Sequence, residues 1–358
     1  MKDLVQIVGA CLTAALLAAC GGPNSSLSSV TSQARRAQSQ TLYVTNDRYY
    51  NSNYGSYSGV NSVTVYAATT GRLTPSQRIY GSNTKLKTPM GIAVDSSGNI
   101  YVANSGGRSV TVYAAGATGN AAAIQTISGS KTGLAQPWGL ALDPSGNIYV
   151  ANQNYGSGSY AIAVYAAGAN GNVAPIRTIS GSATLLSCPA GIALDARTPP
   201  NIYVANNSCS GSSAGNYAIT VYAGGANGNV APIQTINGNY TGLSFPVGIA
   251  VDGSDNIYVY NWGGTVPSIT VYAAGANGNV APIQTIAGNH TSLYHGGGVA
   301  LDANGGIHVA DHSAGGRFSR PSFSVPYFAS GANGDVQPAG VLQGRVTKLQ
   351  APEYIFIR

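Results

Sequence analysis

PMGIAVDSSGNIYVAN (89–104) is one copy of a motif that returns as PWGLALDPSGNIYVAN (137–152), PAGIALDARTPPNIYVAN (189–206), PVGIAVDGSDNIYVYN (246–261) and GGGVALDANGGIHVAD (296–311). Gly91, Gly139, Gly191, Gly248 and Gly298 mark its phase, and a spacing of roughly fifty residues is that of propeller blades. Behind each copy stands a second block, SVTVYAAGATGNAAAIQTISG (109–129) in one unit and SITVYAAGANGNVAPIQTIAG (268–288) in another. Each unit thereby offers four short apolar runs, rich in Val, Ile and Tyr and bounded by Gly, Asn, Asp, Ser and Pro. Such runs read as strands.

The first two runs are joined by D-x-x-G-N, in which Asp95 or Asp143 can hydrogen-bond back to the turn and Gly98 or Gly146 can take positive φ. The third and fourth are joined by AGANGN, whose Asn-Gly suits a tight reversal, with Pro175, Pro232 or Pro282 at the start of the next strand. The expected unit is a four-stranded antiparallel meander, and repeating it radially gives an all-β propeller. LQAPEYIFI (349–357) restarts the motif without finishing it, while TLYVTN (41–46) opens the folded region partway through. Together the two ends make one unit. The expectation is a six-bladed ring over residues 41–358, closed by a C-terminal strand that joins the N-terminal blade.

Charged residues make up 8% of the chain, and Glu353 is the only glutamate. The net charge of +6 is scattered, with Arg35 and Arg36 in the leader and Lys85, Lys87, Arg345 and Lys348 in loops. No basic stripe forms, so nucleic acid is not an expected partner.

Residues 1–19 read as a signal peptide: Lys2 precedes an apolar stretch from Leu4 to Ala19 that is too short to span a bilayer. The segment ends in Leu17-Ala18-Ala19-Cys20, which resembles a bacterial lipoprotein lipobox. The resemblance implies cleavage before Cys20 and lipidation of that residue, with Gly21 compatible with an outer-membrane address. An ordinary signal peptide with a chance cysteine is the plainer alternative. Residues 20–40 are polar and Gly/Ser-rich, the composition of a flexible tether. The expected location is the bacterial cell envelope, at the outer membrane or cell surface or on the periplasmic side, with the membrane engaged through lipid on Cys20.

Cys188 and Cys209 are the cysteines left in the folded part, flanking one predicted hairpin. An even number in an oxidising compartment favours a disulfide, with two free thiols or a metal pair as alternatives.

The pattern P-x-G-I-A-V-D-x-x-G-N-I-Y-V-A-N resembles the NHL repeat, a six-bladed propeller module, over residues 41–358. Copies here mostly end YVAN where NHL copies commonly end YVAD followed by a basic motif. The resemblance implies the fold and leaves open a scaffold, an extracellular ligand-binding domain or a lyase.

Several groups are candidates for chemistry. Asn46, Asn104, Asn152, Asn206, Asn261 and Asp311 fall at one end of their units and form either a polar ring at the channel mouth or a set of local backbone caps. The residue after the proline varies as Met90, Trp138, Ala190, Val247, Gly297 and Glu353, placing Trp138 and Glu353 at the entrance. Asp47, Arg48, Asp311, His312, His295 and His290 are expected near the closing seam. That sector can hold a divalent cation through imidazole and carboxylate, orient an anion at Arg48, or have diverged for closure alone. No other cofactor is expected. His308, at a usual Tyr position, is assigned to packing. A second surface is the loop 47–61 with Tyr49, Tyr50, Tyr54 and Tyr57, joined by Tyr155 and Trp262 from equivalent loops. Aromatic rings with polar tips suit glycans or peptides, or else pack on their own blade.

The expected function is a lipid-anchored, non-catalytic binding or scaffold protein for a peptide, protein or cell-envelope glycan. The rival is a metal-dependent lyase or lactonase using Glu353 with His295, Asp311 and His312, since the six-bladed enzymes resembled place carboxylates or histidines near the axis.

Overall fold

The computed structural model describes residues 40–51, 56–67, 70–154, 159–208, 217–264, 266–313 and 322–358. The leader, Cys20, Tyr54, Tyr155 and Cys209 lie outside the described residues, and so does the expected partner of Cys188.

Six four-stranded antiparallel sheets form a β-propeller. In blade 2 the strands run Pro89–Val94, Ile100–Asn104, Ser109–Tyr113 and Gln125–Ser128, from the axis outward. Blades 3 to 6 begin with the inner strands Gln136–Leu142, Pro189–Leu194, Pro246–Val251 and His295–Leu301. Blade 1 is composite, with Pro352–Ile357 innermost and then Leu42–Asn46, Ser62–Tyr66 and Gln77–Tyr80. Leu42 pairs with Ile357, and Thr41 and Arg358 exchange backbone hydrogen bonds of 2.8 and 3.0 Å, so the ring is closed by main chain.

The core lies between blades. Each of the six interfaces packs aliphatic residues from one blade onto the next; Ile162, Val164 and Ile179 of blade 3, for example, meet Ile192, Ile202 and Val204 of blade 4. At the axis five of the six inner strands approach a neighbour so closely that only glycine fits: a Cβ on Gly91 would stand 2.4 Å from the Trp138 carbonyl oxygen. The same residue type serves at Gly139, Gly191, Gly248 and Gly298. Each D-x-x-G-N turn closes as its residue types dictate. Asp95 accepts from the backbone N–H of Ser97 and Asn99 at 2.9 Å each, and Gly98 takes φ 87°.

The AGANGN segments do not make the tight reversal that Asn-Gly suggests. They are straps laid across the outer edge of the preceding blade. Asn170 accepts from Thr126 N at 2.9 Å, Asn172 accepts from Lys131 N at 2.8 Å, and Gly171 pairs with Ile127. The outer strand of a blade would otherwise present an unpaired edge, and a glycine at φ 78° lets the strap lie flat. The last strap, at Gly71, covers blade 6 through Val341 and Leu342. The prolines sit on these straps just before the outer strand, since blade 3's begins at Arg177, two residues after Pro175.

Candidate functional site

The end of the ring where inner strands begin, here the upper end, collects the residues expected at a mouth. The asparagines there are fully enclosed and do not form a polar ring. Asn104 donates through Nδ2 to the Val102 carbonyl (3.2 Å) and to Thr111 Oγ1 (2.9 Å), and its Oδ1 accepts from Lys87 N (3.1 Å). Asn46, Asn206 and Asn261 repeat this pattern. Asn152, whose neighbouring strand carries Ala163 in place of the threonine, turns its Nδ2 to the Gly133 carbonyl at 2.9 Å. Each is a staple binding a strand to the connector beside it.

Asp311 occupies the sixth such slot. Its Oδ2 accepts from Tyr294 N at 2.9 Å, as the amide oxygens do elsewhere. Its Oδ1 stands where an amide would donate and is buried with no hydrogen-bond partner among the described residues. Burial pushes the carboxyl up to about 6, against the backbone N–H of Tyr294 and the nearby His312, which lower it. Beside it lies Tyr260, fully buried where four other blades carry alanine and blade 1 carries Thr45, and its hydroxyl too has no hydrogen-bond partner among the described residues. The Tyr260 ring fills the space beside Gly296, where a Cβ would lie 2.7 Å from it. That explains why glycine replaces the usual proline there.

The same sector holds the remaining seam groups. Glu353 is half-buried in the upper mouth, and burial together with neighbouring Asp47 pushes it up to about 8. Asp47 is raised by burial, offset by Arg48 and His312. His312 approaches the Pro352 carbonyl with Nδ1 at 3.4 Å and is lowered by burial, opposed by Asp311. His295 pairs across strands with His312 and is lowered by burial and by that neighbour's charge. His290 lies elsewhere, exposed on the strap contact with Asp335 at 2.8 Å. Glu353, Asp47, His312, His295 and Asp311 therefore form one electrostatically connected group, with carboxyls that take up protons unusually readily. Among the described residues no three His, Cys, Asp or Glu side chains converge as a metal centre.

The axis itself offers no such groups. Trp138 packs against two clusters, the one that contains Met90 and the one that contains Ala190 and Val247. Tyr354 reaches from blade 1 to donate to the Val247 carbonyl of blade 5 at 3.3 Å. Tyr354 also lines the axial cavity below. Tyr354 was not among the candidates; its signal is that it stands where the other five inner strands carry glycine. His308 is buried, stacked on Tyr327 at 4.5 Å and within 3.2 Å of Asp302, where its counterpart Tyr101 reaches Asp95.

On the outer part of the upper face, a pocket of about 380 Å³ lies between blades 5 and 6. Trp262, Tyr294 and His295 line it with Asn289 and Ser292, and all three ring-bearing residues are exposed. Trp262 is held edge-on to His295 at 5.6 Å and leans on Phe245 at 6.1 Å. The backbone of Tyr49 lies in a short strand, Tyr49–Asn51, paired with Ser56–Ser58.

No curated protein matches the chain. Among solved structures it is similar to a protein of unknown function from Bacteroides caccae, with a TM-score of 0.61 at 12% identity over 89% of this chain and 98% of that one. It is also similar to the periplasmic gluconolactonase PpgL of Pseudomonas aeruginosa, with a TM-score of 0.53 at 16% identity over 89% of this chain and 85% of that one. At such identities the likeness is one of fold. Residues 134–165, which span the first three strands of blade 3, match the model of the NHL repeat. That match falls on one blade of a closed ring of six sheets, and the chain is a six-bladed β-propeller that carries an NHL repeat.

Proposed function

We propose that this propeller is a non-catalytic binding protein of the bacterial cell envelope, tethered by lipid on Cys20, which recognises a glycan or peptide on its upper face. The observation that carries the reading is the pocket of Trp262, Tyr294 and His295, an exposed aromatic platform rimmed by Asn289 and Ser292. Rings of this kind stack on apolar sugar or side-chain faces while the polar rim selects hydrogen-bonding partners. The reading includes a disulfide between Cys188 and Cys209, which would suit an oxidising compartment. On an array of envelope glycans and peptides, Trp262→Ala and Tyr294→Ala are expected to weaken the bound signal at least tenfold. Unchanged signals in both variants would refute the reading.

A second reading, a metal-dependent lactonase or lyase, draws on Glu353 with Asp47 and His312. A carboxyl that titrates near neutrality is suited to general acid–base work, and a gluconolactonase shares the fold. Glu353 and Asp47 would be the groups to hold a cation. Sugar-lactone hydrolysis assayed with added divalent ions separates the two. Activity lost in Glu353→Gln supports the enzyme; activity absent, or indifferent to that change, removes it.

A further inference from the structure

Six connectors cross the upper end, each leading from the outer strand of one blade to the inner strand of the next, and the ring sorts them into two kinds. Three neighbours, 344–351, 81–88 and 129–135, carry Arg345, Lys348, Lys85, Lys87 and Lys131, and Arg108 stands beside them in the upper loop of blade 2. The other three, 181–188, 238–245 and 288–294, contain no lysine or arginine and expose Leu185, Tyr240 and Tyr294 instead. All six cations are exposed, and among the described residues none of them makes an ion pair. Packing does not ask for them. Lys85 and Lys348 both hold left-handed backbone at φ 59°, a conformation that the equivalent Gly133 and Gly242 adopt with no side chain to crowd it. Carboxylates are kept away from this half. Asp95, Asp143, Asp195, Asp252, Asp255 and Asp302 stand in turns at the lower end. At the upper end Asp311 is enclosed, Asp335 is taken up by His290, and burial raises the carboxyls of Asp47 and Glu353.

We propose that this cationic arc binds an acidic polysaccharide, extending the site of Trp262 and Tyr294 along the upper rim. The proposal rests on the reading of that pocket as a glycan site and adds the charge of the glycan. The pocket is lined from 288–294, and the next connector around the ring is 344–351. A chain stacked on Trp262 and following the rim is therefore led onto Arg345 and Lys348. Four of the six cations are lysines, compact charges that answer to charge density rather than to one fixed geometry, which suits a flexible polymer. A field of one sign over a face also gathers such a chain from a distance. A bilayer fits the arc less well, because the leader joins the ring at Thr41, at the lower end beside Arg358.

With the full chain purified in a non-ionic detergent, calorimetry is expected to show binding of a polygalacturonate oligomer that weakens steeply with rising salt. Methyl esterification, which removes the charge and keeps the sugar, should weaken it by about tenfold or more. Lys85→Gly, Lys348→Gly and Lys131→Ala combined should weaken polygalacturonate by about tenfold or more and flatten its salt dependence. The melting temperature should not fall, since glycine suits both left-handed positions. A poly(glycerol phosphate) chain tells phosphate from carboxylate as the preferred anion, and binding of either polymer supports the proposal. It fails if neither binds, if the esterified oligomer binds equally, or if the triple variant binds as before. A single-stranded oligonucleotide or phosphatidylglycerol vesicles bound more tightly than both polymers would also overturn it. Trp262→Ala separates the two readings: it should lower affinity and leave the salt dependence unchanged. Lysine changes that matter where Trp262→Ala does not would remove the aromatic platform and keep the arc, and the reverse would remove the arc alone.

Discussion

Blades 2 to 5 and the seam between blades 6 and 1 are built to one plan, yet they differ at the positions where the plan is strictest. In the regular sector Asn104, Asn206 and Asn261 each satisfy at least two carbonyl or hydroxyl acceptors and one backbone donor. At the seam Asp311 takes that slot, Pro326 stands where the adjoining strand usually offers threonine, Phe328 replaces the buried tyrosine and Tyr354 replaces the axial glycine. A repeated residue here reports a structural need. A replaced one reports either an accommodation, such as Gly296 making room for Tyr260, or an unrelieved cost, such as Asp311 Oδ1.

The sharpest way to break the comparison is to remove the element that only the seam possesses. Deleting 352–358 takes away the inner strand of blade 1 and should abolish cooperative unfolding by circular dichroism, because Leu42–Asn46 loses its partner and blades 6 and 2 lose their neighbour. Next in size, Asn206→Ala leaves a buried hydroxyl and carbonyl unsatisfied and should cost about 2–3 kcal/mol in urea unfolding. Asp311→Ala, by contrast, removes an already unpaired oxygen and should cost less.

Asp311→Asn goes the other way. Because the folded state holds the Asp311 proton up to about pH 6 and the unfolded chain releases it near 4, this group's contribution to wild-type stability is greatest below pH 4 and is lost as pH rises through 6. The amide abolishes this loss. The variant should be more stable than wild type by about 1–3 kcal/mol at pH 7 and nearly equal to it at pH 4. Glu353→Gln should behave alike over a wider window. Its folded-state value of about 8 makes its own contribution to stability decline from near pH 4.5 to 8. The variant's melting temperature should exceed wild type by a margin that grows over that range and then stays constant. A melting temperature lowered at pH 7 would show that the Glu353 carboxyl is engaged in a stabilising contact.

The architecture was legible because the period, the D-x-x-G-N turns and the split unit LQAPEYIFI plus TLYVTN are all local pattern. The straps were not, since Asn-Gly has the same sequence signature in a hairpin as it has when reaching Thr126 or Lys131 of the blade before. The seam could be read as chemically distinct, but its hierarchy could not. Nothing local says that Asp311 is sealed, that His290 faces outward to Asp335, or that Tyr354 meets Val247 across the axis. Those are consequences of ring geometry, which brings residues more than a hundred positions apart into contact.

The straps imply an order of assembly. A blade made early in synthesis cannot finish its own outer edge, because the loop that covers it belongs to the unit still to come. Each unit thus waits for its successor, except that blade 6 is covered by Gly71, made long before it. The final stretch from Val341 to Arg358 meets that waiting loop at the rim and the waiting strand Leu42–Asn46 at the hub. The ring therefore locks at both radii at once, and a chain stalled before this stretch exposes an unpaired edge at each end.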